Sequence, residues 1–236
     1  MKRIITMCLS AMLLLGITTG AWALSYSGSI LSDSTLFATD GWATGTATPS
    51  NAKLSWIVDN ETNVGFWTYA YTFTVATKNI SHVIIEVSEN FSENNIISAS
   101  SVIDPGAPRT YSPDDPGNSN PGLPGDLFGI KWTPDVSGLS FSWTIETDRA
   151  PMWGDFYSKD GTDEGGTVDV YAYNRGFGID TNAPIGDGNA AIAGVASGWA
   201  LVPDTTTTTV PEPATMLLLG SGLIGLAGLA RKRFKK

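Results

Sequence analysis

The clearest pattern along the chain is strict alternation of apolar and polar residues. In residues 67–75, Trp67, Tyr69, Tyr71, Phe73 and Val75 share one parity, while Thr68, Ala70, Thr72 and Thr74 share the other. Successive side chains of an extended strand point to opposite faces, so this run predicts a strand with one buried face. Residues 139–146 repeat the pattern, with Leu139, Phe141, Trp143 and Ile145 opposed to Ser140, Ser142, Thr144 and Glu146. Leu54, Trp56 and Val58 also alternate, and the turn sequence Asp59-Asn60-Glu61-Thr62 follows them, so residues 53–75 predict a hairpin. Further strands are expected in residues 83–87, 96–103, 128–132, 168–173 and 195–201. Helical periodicity is nearly absent between Leu24 and Asp204. Eight or nine short strands separated by Gly, Pro, Asn and Asp predict an all-β domain, an antiparallel β-sandwich of jelly-roll-like form. A parallel β-helix would need a repeat of fixed period, and none is visible.

One segment departs from this pattern. Residues 104–126 hold six of the 13 prolines, four glycines and four acids. Loops of this length are uncommon and are often functional. Two readings stand side by side: a crossover between sheets, or a rim for a ligand or metal with Tyr111, Asp114, Asp115 and Asp126 as its polar groups.

The two ends of the chain differ from its middle. Lys2 and Arg3 precede a mostly apolar run from Ile4 to Ile17, and Ala21-Trp22-Ala23 supplies small residues at alternate positions. Residues 1–23 therefore read as a helical signal peptide, cleaved by signal peptidase after Ala23. Residues 205–213 form a linker of five threonines followed by Val210-Pro211-Glu212-Pro213, where two prolines oppose helix formation. Residues 214–230 carry no charge over 17 positions, a helix of about 25 Å, slightly short of a bilayer core of roughly 30 Å. Residues 231–236 then carry five positive charges, opening with Arg231, Lys232 and Arg233. Basic flanks stay on the cytoplasmic side, so this tail is expected inside the cell and residues 24–204 outside.

The order Pro211-Glu212-Pro213, short apolar helix, Arg231-Lys232-Arg233 resembles the PEP-CTERM sorting signal of bacterial exported proteins. The resemblance implies recognition by an exosortase, a membrane-embedded transpeptidase-like enzyme, with Pro211, Glu212 and Pro213 as the sorting motif. It also implies an association with extracellular polysaccharide and biofilm. A permanent C-terminal anchor is the other reading of the same segment, and the four glycines in a short helix favour transient anchoring.

Charge changes the picture of the body. The whole chain has a net charge of -9, but only seven of its 14 basic residues lie between Leu24 and Thr209, against 22 of its 23 acids. Such a body excludes a nucleic-acid partner, which would require clustered Lys and Arg. The single cysteine, Cys8, lies within the signal segment, so disulfides, thiol catalysis and cysteine metal sites are not expected in the mature chain.

Candidate chemistry is sparse. His82 is the single histidine, set in a strand with no nucleophile motif, so a Ser-His-Asp relay is not expected. Paired carboxylates could hydrolyse a glycoside without histidine. The block around Trp153, Asp155, Tyr157 and Asp160 is the candidate ligand site, because aromatic rings flank an acid there. The same block also reads as a turn with its rings in the core. Calcium loops at Asp160 to Gly165, at Asp180 and Asn182, and at Asp187 and Asn189 do not fit the EF-hand pattern, although an acidic body would attract calcium loosely. Thr68, Thr72 and Thr74 raise ice or glycan binding, but an ice-binding face needs several adjacent ranks and one strand gives one.

No cofactor and no catalytic residue are expected. The expected product is a non-catalytic surface or biofilm-matrix protein that contacts extracellular polysaccharide. Two alternatives remain open at this point: a carbohydrate-active enzyme using paired carboxylates, and a calcium-dependent adhesin.

Overall fold

The strongest alternating runs become neighbours at the centre of one sheet. The computed structural model describes residues 24–32, 35–39, 41–42, 52–100, 102–104, 106–115, 120–160, 169–178 and 198–204, within a unit spanning Leu24–Val210. The expected signal peptide, linker, sorting helix and basic tail lie outside these residues. Among the described residues no helix is long and apolar enough to cross a membrane.

Fourteen strands are described, more than the eight or nine expected. In chain order they are β1 (Ser25–Leu31), β2 (Leu36–Ala38), β3 (Lys53–Asp59), β4 (Trp67–Thr74), β5 (Ile80–Glu86), β6 (Ile96–Ala99) and β7 (Val102–Ile103). There follow β8 (Arg109–Tyr111), β9 (Leu127–Thr133), β10 (Ser140–Thr147), β11 (Met152–Gly154), β12 (Phe156–Asp160), β13 (Tyr171–Asn174) and β14 (Ala200–Val202). The first sheet has the order β1-β3-β4-β10-β6. The second runs β2-β13-β12-β5-β9-β7, with β8 also paired to β9. Strands β11 and β14 form a small third sheet. Every pairing is antiparallel.

The expected hairpin is present: β3 pairs with β4 from Lys53↔Thr74 to Asp59↔Thr68. The expected single strand over residues 96–103 is two strands in two sheets. Ile96 pairs with Thr147 in the first sheet, whereas Ile103 pairs with Trp132 in the second.

The two larger sheets pack face to face through aromatic residues. Phe73 of the first lies 5.1 Å from Phe156 of the second, and Trp143 lies 6.0 Å from Trp132 (ring centroids). Tyr71 stacks on Trp143 at 5.2 Å and donates its hydroxyl to the Leu201 carbonyl of β14 at 2.7 Å. That bond satisfies a polar group in a fully buried position and ties the third sheet to the first. Burial of each large side chain contributes ~1.5–3 kcal/mol, so this aromatic interior supports a body without disulfides.

Candidate functional site

The block from Trp153 to Asp160 is not one strand. Alternation alone would place Trp153, Asp155 and Tyr157 on one face. The chain instead leaves the third sheet after Gly154 and enters the second at Phe156, with Asp155 between them. Trp153 consequently faces the main core, where its ring meets Trp56 edge-on at 6.5 Å. Tyr157 faces the opposite side of the second sheet, in a cluster with Ile84, Tyr111, Leu123 and Leu127. Its hydroxyl donates to the Pro121 carbonyl at 2.8 Å, and burial raises its pKa above the ordinary tyrosine value.

Asp155 is 7% exposed and works within the fold. Its Oδ1 accepts a hydrogen bond from Asn174 Nδ2 and its Oδ2 one from the Gly178 amide, both at 2.8 Å. Its own amide donates to Glu86 Oε2 at 2.6 Å. Asn174 in turn accepts from the Phe156 amide at 2.7 Å. The carboxylate thereby holds the turn after β13 against the start of β12. Asp160 is 8% exposed at the far end of β12, where its amide donates to the Val170 carbonyl at 2.9 Å. The four candidate residues therefore do not converge on one surface. Trp153 and Tyr157 are buried on different sides of the sheet, and neither offers a ring face to a sugar.

The described residues of the proline-rich segment, 106–115 and 120–126, cover the outer side of the second sheet. Asp104 anchors its start, with Oδ2 3.0 Å from Lys131 Nζ and Oδ1 accepting from Thr133 Oγ1 at 2.7 Å. Strand β8 pairs with the first residues of β9, and Arg109 pairs with Asp115 at 2.9 Å. Tyr111 is fully buried, and burial pushes its hydroxyl up to about 12. Of the polar groups expected at a ligand rim, Tyr111 is thus buried, Asp115 is paired with Arg109, and Asp114 and Asp126 are exposed.

Asn120 latches this cover to the sheet. It is fully buried, and its Nδ2 donates to the Ser112 carbonyl at 3.0 Å. That bond turns Oδ1 toward His82, whose Nε2 lies 3.2 Å away and carries the proton. Burial first, and then the nearby Lys131 and Lys159 charges, lower the His82 pKa to about 3. The neutral imidazole is a buried donor to Asn120 Oδ1.

Gly122 follows in the same segment with φ +69° and lies flat on the Tyr171 ring, which an added Cβ would overlap. Gly122→Ala is expected to destabilise the protein by about 2 kcal/mol or more, through backbone strain and displacement of the cover. Urea denaturation checks this. An unchanged midpoint would show that the cover does not contribute to folding.

Beyond the cover, Phe37, Tyr171, Tyr173 and Phe177 remain half-buried. Phe37 stacks on Tyr173 at 4.7 Å, and Tyr171 lies parallel to Tyr173 at 6.4 Å. Gly122 covers Tyr171, and the Arg175 guanidinium lies 5.8 Å from Phe37. The rings thus use faces on one another and on neighbouring groups. Among the described residues no three His, Cys, Asp or Glu side chains gather to hold a metal ion. The loops around Asp163, Asp180 and Asp187 lie outside those residues.

What sequence reasoning missed is the outer face of the first sheet, because it depends on register between strands. Thr72 of β4 stands beside Ser55 of β3 and Ser142 of β10, and Ser55 stands beside Ser29 of β1. The single rank legible in β4 is therefore one column of a broader hydroxyl surface.

No curated protein and no solved structure matches the chain. The assignment comes from the C-terminal segment, where proline pair, apolar run and basic residues follow one another. Residues 209–233 match the PEP-CTERM protein-sorting motif, and the chain is a carrier of that sorting signal.

Proposed function

We propose that this protein is an exported, exosortase-sorted component of the cell surface or biofilm matrix, with a non-catalytic role in contact with extracellular polysaccharide. The observation that carries the reading is the sorting motif at residues 209–233. Such a motif implies export, transient membrane anchoring and processing by an exosortase. Signal peptidase would remove residues 1–23, and the basic tail would stay cytoplasmic until processing near Pro211, Glu212 and Pro213. The two facing sheets support a β-sandwich as the exported scaffold.

The body lends support in two ways. Its 22 acids against seven basic residues keep it soluble among anionic polymers. The carboxylate that sequence singled out, Asp155, is occupied with holding a turn.

The test replaces Pro211, Glu212 and Pro213 with alanine and follows the protein by cell fractionation. The expected outcome is loss of C-terminal processing, with the unprocessed chain accumulating in the membrane fraction. Processing and location identical to wild type would overturn the sorting assignment.

A further inference from the structure

The outer faces of the two large sheets differ. Among the described residues, the proline-rich segment covers the second, whereas the middle of the first is exposed or half-buried. Antiparallel register assembles that face in rows. Ser29, Ser55, Thr72 and Ser142 form one row across β1, β3, β4 and β10, and Thr72 Oγ1 lies 2.9 Å from Ser142 Oγ. The next row is Ser27, Ile57, Ala70 and Thr144, with Ile57 54% exposed. On one side of this pair lie Leu31, Lys53, Thr74 and Ser140. On the other lie Ser25, Asp59, Thr68, Glu146 and Ser98.

Charge is confined to these two margins. At one margin, Asp59 Oδ1 accepts from the amides of Glu61 and Thr62 at 3.0 and 2.7 Å. Glu146 Oε2 accepts from Ser98 Oγ at 2.7 Å and Asn63 Nδ2 at 3.3 Å. Between them Thr68 is only 9% exposed, and its Oγ1 has no hydrogen-bond partner. The two middle rows carry no charge, on a body with three times as many acids as bases.

We infer that this face binds a chain of uncharged polysaccharide, laid along the two middle rows. The inference rests on the polysaccharide-contact reading above and assigns it a surface and a polymer class. An acidic polymer would meet an excess of negative charge with no cation in the middle rows to pair with it. A protein partner would need the aromatic and Arg anchors of an interface core, which these rows lack. A rigid ice lattice would need an unbroken hydroxyl grid, which Ile57 and Ala70 interrupt. A sugar chain suits the mixture. Its hydroxyls match Ser and Thr, each both donor and acceptor, and its C–H faces match Ile57 and Ala70. Strands spaced ~4.8 Å apart offer side chains at nearly the repeat of one sugar unit.

The test measures retention of the protein, as isolated from cells that export it, on an insoluble uncharged β-glucan and on immobilised polygalacturonate. The variants are Ser55→Arg, Ser142→Arg and, on the outermost strand, Ser29→Arg. Thr110→Arg, exposed on β8 of the other sheet, is the control. Only variants with the wild-type melting midpoint are compared. The expected result is wild-type retention on the glucan, at least a tenfold loss in the face variants and no loss in the control. Face variants that bind as wild type does would overturn the surface while leaving polysaccharide contact standing. Wild-type binding to polygalacturonate alone would overturn the uncharged partner. Absence of binding to either polymer, including where the wild type shapes ice instead, would overturn both this inference and the reading beneath it. A wild-type dimer abolished by Ser55→Arg would make a second copy the occupant and overturn the proposal.

Discussion

His82→Phe is expected to flatten the loss of stability between pH 6.5 and about 3. In the folded protein the imidazole pKa falls from 6.5 to about 3, chiefly because burial opposes its charged form and then because Lys131 and Lys159 lie near. The unfolded chain takes up this proton below pH 6.5, whereas the folded chain does so only near 3. Within that window the unfolded state binds more protons, so stability falls as pH falls, by up to ~1.4 kcal/mol per pH unit. Above pH 6.5 the contribution is complete and flat. At pH 7 the Phe variant is expected to be less stable than wild type by ~1–3 kcal/mol, because Asn120 Oδ1 loses its donor. The shallower slope of the variant then brings the two curves together near ~pH 5. Urea denaturation at pH 7, 6, 5 and 4 measures both curves. The carboxylates add a slope common to the two proteins, so parallel curves would show that His82 titrates normally and that the Asn120 latch is not closed.

Legibility of the fold followed burial on one side or two. Strands β4 and β10 alternate buried with exposed or half-buried residues along most of their length, so their existence follows plainly from the sequence pattern. Strand β12 has no such contrast. Phe156 faces the main core while Tyr157 lies beneath the proline-rich cover, and Ser158 donates to the His82 carbonyl at 2.8 Å, so consecutive residues are all buried. A strand enclosed on both faces loses the period-two signal. The composition of residues 104–126 revealed an unusual connection, but its role as a cover depends on which sheet it crosses. The approach of Gly122 to Tyr171 is not visible in that composition. The candidate block failed to converge for a related reason. Parity carries through a strand, but it is lost where the chain changes sheet at Asp155. The hydroxyl rows lay beyond single-strand reasoning, since they exist only once Ser29, Ser55, Thr72 and Ser142 are in register.

Asp155→Asn separates a structural carboxylate from a catalytic one. A general acid or nucleophile replaced by its amide should leave the fold intact and remove turnover. The geometry here predicts the reverse emphasis. Two donors, Asn174 Nδ2 and the Gly178 amide, meet the two carboxylate oxygens. An asparagine keeps one oxygen and turns an NH2 group toward the other donor. One charge-assisted bond is lost, the second is weakened, and a buried donor is left facing a donor. The expected cost is about 3 kcal/mol. The damage should spread through Asn174, whose Oδ1 holds the Phe156 amide at the entry to β12. Asn174→Ala should therefore overlap with Asp155→Asn in a double-mutant cycle, with a coupling of roughly 1–2 kcal/mol. Urea denaturation of the two single variants and the double variant measures it. If Asp155→Asn matches wild type within ~0.5 kcal/mol, the turn does not depend on this carboxylate, and a chemical role for it becomes the better explanation of so buried an acid.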